Sequence, residues 1–201
     1  RKHKEHPAYP WIEWDTEDFT GIEIWNHMSE WVENLTEDNK YRSFLHPLRT
    51  IIAPPKETLK VWDELNQKRK VVGIGGIDAH AHKYNLVGFL EVEIFPYKVL
   101  FKSIRTHILI NEAIKKGKSA KDIETAKWQI YNSLREGRCF IANDYVAESK
   151  GFRFYAEHDA VKYQMGDKVP DHKNVTLKVF LPKINAEIKL LRNGHIIETN
   201  K

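Results

Sequence analysis

The chain has 201 residues, 41% of them hydrophobic, which is enough for one domain of good size or two small ones around a packed core. Its formal charge of +4 permits contact with anions, but the 32 lysines and arginines are spread among 28 acidic residues instead of gathering in one stripe, so a nucleic-acid footprint is not indicated. The single cysteine, Cys139, excludes an internal disulfide framework and a cysteine-rich zinc site, and no apolar run reaches membrane-spanning length. The chain starts at Arg1, inside a basic segment and without an initiator methionine, so it reads as a piece of a longer protein. The lack of a visible signal peptide then says little about compartment, and a cytoplasmic location is the default expectation.

Residues 1–19 combine Pro7 and Pro10 with Tyr9, Trp11 and Trp14, the pattern of an ordered loop pinned by its rings; His6 reads there as a surface histidine. The segment Gly21-Ile22-Glu23-Ile24-Trp25-Asn26 predicts a short strand, with Ile22 and Ile24 on one face and Glu23 and Trp25 on the other. Glu23 then points either into a polar interior or to solvent at an edge. Residues 27–66 read as mostly helical. Met28, Trp31, Val32 and Leu35 recur at helix spacing, Pro54-Pro55 breaks the chain, and Thr58, Leu59, Val61, Trp62 and Leu65 form a second amphipathic helix. His46-Pro47 is a turn between helices.

The run from Val71 to Ile77 holds β-branched residues and glycines with no polar side chain, and it reads as a strand buried on both faces, as in a parallel sheet covered by helices. It ends in Asp78. Ligands gather outside the carboxyl ends of parallel strands, and side chains two apart in extended backbone point the same way, which brings the Asp78 carboxylate and the His80 imidazole together. One anionic oxygen and one neutral nitrogen make half of a site for zinc, manganese or iron. Asp-x-His is a weak pattern by itself, and a loop aspartate capping a turn beside a satisfied histidine remains open.

Downstream, residues 88–95 alternate as a half-exposed strand that Pro96 stops. The spacing of Leu100, Ile104, His107, Ile108 and Ile114 predicts a helix over 97–116, with His107 on its face and Gly117 as its stop. Ser119 opens another helix, with Asp122 placed for a capping box and Ala126, Ile130 and Leu134 as its buried stripe until Gly137. Residues 138–146 read as a strand, Cys139 as an inert core thiol, and Asp144 as a minor site candidate. The composition changes near Lys150. Short alternating strands at 152–156, 175–181, 188–191 and 196–197, with turns at Gly166-Asp167 and Asn193-Gly194, suit sandwich chemistry but are too few for a complete sandwich. The expected division is therefore 1–149 and 150–201.

The run Tyr9-Pro10-Trp11, Trp14, Phe19-Thr20-Gly21-Ile22-Glu23-Ile24-Trp25-Asn26, then Leu59, Trp62-Asp63, Leu65, Arg69 and Gly75-Gly76-Ile77-Asp78-Ala79-His80-Ala81 resembles the C-terminal half of the PHP (polymerase and histidinol phosphatase) family of metal-dependent phosphoesterases. The resemblance covers residues 9–145. It implies an α/β fold: an incomplete (β/α) barrel of PHP type, followed by a small C-terminal antiparallel β-sheet or partial sandwich. By this likeness Asp78 and His80 match the last metal-binding motif, and Glu23 and Asn26 lie on a strand near the metal and support the site without binding it. His82 stands where that motif has an aromatic or variable residue and is a further candidate.

The family's opening His-x-His motif, its central glutamate and its other histidine ligands have no counterparts here. Two ligands of a larger set should not hold a multinuclear centre tightly, so this chain alone is expected to be inactive. For an intact parent the resemblance implies a divalent metal (Zn, Mn or Fe) and hydrolysis of a small phosphorylated substrate by metal-activated water. Two alternatives stand beside it. One is an amidohydrolase-like barrel cleaving amide or carbamate bonds; the other is a non-enzymatic module that grips a sugar or a partner protein, with Asp78 and His80 merely structural. Neither a nucleic-acid nor a membrane partner is expected, and the open barrel edge favours a homo-oligomer.

Overall fold

β1 (Gly21–Asn26) and β2 (Val72–Gly76) run side by side and parallel, Gly21 opposite Val72 and Asn26 opposite Gly76. They anchor a computed structural model that describes residues 11–13, 15–85, 88–89, 91–171, 174–182 and 185–201. Between the two strands come α1 (His27–Glu33), α2 (Lys40–Leu45), a 3-10 turn at Pro47–Arg49 and α3 (Lys56–Lys68). α1 starts where it does because Asn26 is still extended and its side-chain oxygen accepts the Ser29 N–H, satisfying one of the unpaired donors of the first turn. Pro55 precedes α3, and Trp62 on that helix donates its indole N–H to the Val71 carbonyl at 2.8 Å, fixing the helix against the start of β2.

The pairing of β1 with β2 skips a residue: Glu23 lies opposite Ile74 and Trp25 opposite Gly75, leaving Ile24 extra. Such a bulge interrupts the alternation of faces. Ile24 and Trp25, consecutive in sequence, are both buried on the helix side, whereas Trp25 was expected beside Glu23. Ile24 approaches Gly73, where an added Cβ would come within 2.7 Å of its Cδ1 and 3.1 Å of the Trp62 ring. Trp25 joins the main apolar cluster of Met28, Trp31, Phe95, Leu100 and Ile104. The other face carries Glu23, Ile74 and Gly76 and stays open. Ile74 is 39% exposed, so β2 is not buried on both faces as its apolar sequence predicts.

Antiparallel β3 (Lys83–Asn85) and β4 (Glu91–Glu93) follow, then α4 (Tyr97–Leu100) and β5 (Ile104–Ile108), which pairs antiparallel with β6 (Cys139–Asn143). The helix expected over 97–116 is thus one turn and a strand. Leu100, Ile104 and Ile108 recur every four residues, a spacing that a helix and a strand both satisfy, and the β-branched Ile104, Thr106 and Ile108 favour the strand once β6 is there to pair with. β5 also sits beside β2. The Thr106 hydroxyl accepts the Gly75 N–H at 2.9 Å and donates to the Gly75 carbonyl at 2.8 Å. α5 (Ala120–Arg135) begins with the expected capping box of Ser119 and Asp122 and is followed by Gly137 at φ +70°.

The C-terminal part contains β7 (Arg153–His158), β8 (Val161–Gln164) and β9 (Thr176–Phe180) in one antiparallel sheet of order β8-β7-β9, and a hairpin of β10 (Ile188–Arg192) and β11 (His195–Asn200) turning at Asn193-Gly194. Five strands lie here instead of the four expected. The added one is β8, reached through Asp159-Ala160, both at positive φ and neither a glycine, so the sequence carries no turn signal. The Gln164–Asp167 turn docks on the end of α5: Lys70 Nζ donates to the Glu136 and Gly166 carbonyls at 2.5 and 2.6 Å.

Of the expected aromatic anchors near the amino end, Tyr9 and Trp14 lie outside the described residues, as does His6, and Trp11 is exposed. Phe19 is the ring that is held, with the Arg69 guanidinium 4.1 Å from its centroid and bonded to its carbonyl at 2.7 Å. Among the described residues no helix is long and apolar enough to cross a membrane.

Candidate metal site

β2 ends at Gly76, and two residues later Asp78 turns into the left-handed region at φ +48°. An aspartate tolerates that conformation better than most residues. Its Oδ1 lies 2.8 Å from His80 Nε2, so the two side chains do converge at the carboxyl end of the parallel pair. The expected cause is nevertheless wrong. The backbone at Asp78 is not extended, and a second left-handed residue, Ala81 at φ +51°, follows His80. The pair meets across a tight loop, not along one face of a strand. Side-chain exposures of 45% for Asp78 and 50% for His80 leave both within reach of a solute.

The loop is tied down on its far side, where the His82 carbonyl accepts the Ile94 N–H at 2.9 Å. The His82 ring stacks on that of His80 with centroids 5.0 Å apart and planes 12° from parallel. On the neighbouring strand Asn26 donates from Nδ2 to Glu23 Oε2 at 2.9 Å while its Oδ1 caps α1. Glu23 lies over Gly76, where an added Cβ would come within 2.4 Å of its Oε1. Glu23 and Asn26 therefore share the open face next to the loop that carries Asp78.

Oxygen and nitrogen ligands each about 2.1 Å from one metal, at angles near 90–110°, stand roughly 3 Å apart. The Asp78 to His80 separation suits two adjacent ligand positions. A complete site needs more, and among the described residues no three His, Cys, Asp or Glu side chains gather closely enough to hold a metal ion. No protein-family model, no curated protein and no solved structure matches this chain. What the pair does must therefore be argued from its own geometry.

A second polar cluster lies at the end of the antiparallel β5–β6 pair. The Asp144 side chain, 7% exposed, accepts from the Ser149 hydroxyl at 2.6 Å and the Ser149 N–H at 3.2 Å on Oδ1, and from Arg105 Nη1 at 3.1 Å on Oδ2, which also lies 2.8 Å from His107 Nε2. Burial would raise this carboxyl, but the Ser149 donors and the adjacent His107 outweigh it and hold it below the usual aspartate range. Ser149 Oγ is 3.1 Å from the same His107 nitrogen. A nucleophilic triad needs the carboxylate on the far ring nitrogen, and here the hydroxyl proton is given to the carboxylate. The cluster reads as an anchor for the segment after β6. The sequence offered Asp144 as a minor candidate and placed His107 on a helix face; their meeting with each other and with Arg105 was not legible, because β5 itself was not.

His27 was missed as well. It is 0% exposed, neither ring nitrogen has a hydrogen-bond partner, and its edge meets the Phe95 ring at 4.9 Å. Burial pushes its pKa down to about 4. Cys139, half-buried, has its thiol pushed up by burial, as suits an unreactive position.

Proposed function

We propose that this chain is part of a metal-dependent phosphoesterase of PHP type, with residues 1–149 contributing an incomplete (β/α) barrel and residues 150–201 a small antiparallel addition. The reading is carried by one observation: the Asp78 carboxylate and the His80 imidazole meet, solvent-accessible, just beyond the carboxyl end of a parallel strand pair. Asp78 would bind a divalent ion (Zn, Mn or Fe) through oxygen and His80 through Nε2, with the remaining ligands supplied from outside the described residues. When bound, the ion supplies Lewis acidity toward a phosphoryl oxygen and an acidified water. Asn26 holds the Glu23 carboxylate on the open face beside the loop, and the bond from Ile94 to His82 fixes the loop's far end. A small phosphorylated molecule would enter from that face.

Calorimetric titration with manganese and with zinc tests this reading. One weak site is expected, abolished in Asp78→Asn and in His80→Gln. Binding that survives both substitutions, or no binding of either ion, rejects it in favour of a non-catalytic binding module. Manganese-dependent hydrolysis of p-nitrophenyl phosphate by an intact parent, abolished there by Asp78→Asn, would support a phosphoesterase. Cleavage of an anilide instead would move the assignment to amide hydrolysis.

A further inference from the structure

Phe95 stands at φ +58°, a left-handed conformation that a bulky side chain keeps only where its surroundings hold it there, and such residues gather at ligand sites. Its ring is 2% exposed and meets Trp31 edge-on at 5.2 Å, as does the ring of Phe44 on α2. Both rings belong to the wall of a cavity of about 260 Å³ between the end of α2, the 3-10 turn, the chain from Val92 to Pro96 and Tyr145. Buried Leu48 and Ile94 extend its apolar part. The space is smaller than the roughly 300–1,000 Å³ that takes a drug-sized molecule, so it suits an occupant of metabolite size.

Charges of opposite sign line the same small space. Arg49 and Glu93 both belong to the wall, and both are exposed. Among the described residues neither forms an ion pair, with the other or with a third group. Lys83, opposite Glu93 in the β3–β4 pairing, gives its ammonium to Glu91 at 2.8 Å and reaches Glu93 only by longer-range attraction. A lone anion drawn to Arg49 would be repelled by Glu93, and a lone cation drawn to Glu93 would be repelled by Arg49. A molecule with both charges on one carbon, beside an apolar group, meets neither obstacle. The Tyr145 phenol, 45% exposed, adds a neutral donor to the wall.

We propose that this cavity binds a free amino acid with an apolar side chain, its α-carboxylate on Arg49, its α-ammonium on Glu93 and its side chain against Phe44, Leu48 and Phe95. The wall includes neither Asp78 nor His80, so occupancy of this site does not depend on the metal reading.

Heteronuclear NMR of the full chain, titrated with L-phenylalanine, reads both affinity and place. Saturable shifts are expected at the amides of residues 44–49 and 92–99. Phenylpropionate and phenylethylamine, which each lack one of the two charges, should bind at least roughly threefold more weakly. Arg49→Gln should weaken phenylalanine and phenylpropionate roughly three- to tenfold and leave phenylethylamine unweakened. Glu93→Gln should weaken phenylalanine and phenylethylamine by a similar factor and leave phenylpropionate unweakened. This crossed pattern separates a lost charge from a lost fold, since a misfolded variant loses all three ligands. If either variant misfolds, the preference of the unaltered chain among the three ligands decides. Non-saturating shifts, shifts centred elsewhere, or either singly charged ligand binding as tightly as phenylalanine overturns the proposal.

Discussion

Lowering the pH from 7 to 4 is expected to withdraw about 3 kcal/mol of stability through His27 alone. In the unfolded chain this imidazole takes up a proton near its ordinary value of 6.5, whereas in the folded protein burial holds it neutral down to about 4. Between those values the unfolded state binds more protons, so stability is fully present above 6.5, falls as the pH drops through the window, and levels off below 4. A displacement of that size at 1.36 kcal/mol per pH unit gives the figure of about 3 kcal/mol. Replacing His27 with leucine removes both the titration and two buried nitrogens without partners, so at pH 7 the variant should be as stable as the parent or more stable by roughly 1–2 kcal/mol. Urea unfolding of parent and His27→Leu at pH 7 and pH 4 reads the difference between the two, which cancels the other groups that titrate there. Equal pH slopes in the two proteins, or a loss above about 2 kcal/mol in the variant at pH 7, would refute the reasoning.

Asp144→Asn removes the charge that Arg105, His107 and Ser149 surround and should cost about 2 kcal/mol at neutral pH. Because the folded carboxyl is held below its ordinary range, that contribution is present above the ordinary aspartate pKa and lost as the pH falls below it, so thermal melts of the two proteins should converge in acid. Gly75→Ala would push a Cβ to 2.6 Å from Ile141 Cγ2 and 2.9 Å from Ile104 Cγ2, for a loss of roughly 1–3 kcal/mol, whereas Gly76→Ala meets only the end of the Glu23 side chain and should cost no more than its bond from Asn26, about 1 kcal/mol, in urea unfolding. Gly166→Ala combines φ +89° with a Cβ 2.0 Å from the Glu136 carbonyl and should free the turn after β8, seen as faster proteolytic cleavage there. The open face of β1 and β2 should make the chain self-associate with rising concentration, and a monomer at every concentration in light scattering would count against it.

Features fixed by neighbouring residues were legible in the sequence. The Ser119 and Asp122 capping box, the Asn193-Gly194 turn and the end of β2 just before Asp78 each depend on a few adjacent side chains. The convergence of Asp78 with His80 was legible too, though Asp78 is left-handed and the pair does not share extended backbone. Features that depend on distant partners were not. β5 reads as a helix until β6, more than thirty residues on, is placed against it, and Asp144 meets Arg105 and His107 only across that strand pair. β8 was hidden because Asp159 and Ala160 make a glycine turn without glycine. His27 carries no local sign of burial, since an imidazole after an asparagine suits a surface as well as a core.

The bulge at Ile24 shows how one unpaired residue links these levels. With regular pairing, strict alternation would set Trp25 on the open face beside Glu23 and turn Asn26 to the helix side, away from the Glu23 carboxylate. The extra residue reverses both: Trp25 goes into the core with Ile104 and Phe95, and Asn26 comes round to bond Glu23 at 2.9 Å. Asn26 also caps α1, so the same residue sets where His27 and Trp31 begin to pack edge-on against Phe95. Phe95 follows Ile94, whose N–H holds the His82 carbonyl at the end of the Asp78 loop. The register of β1 is therefore connected to the loop by packed rings and two hydrogen bonds. Removing Ile24 would restore alternation, expose an indole, and separate the two polar groups beside the Asp78 loop.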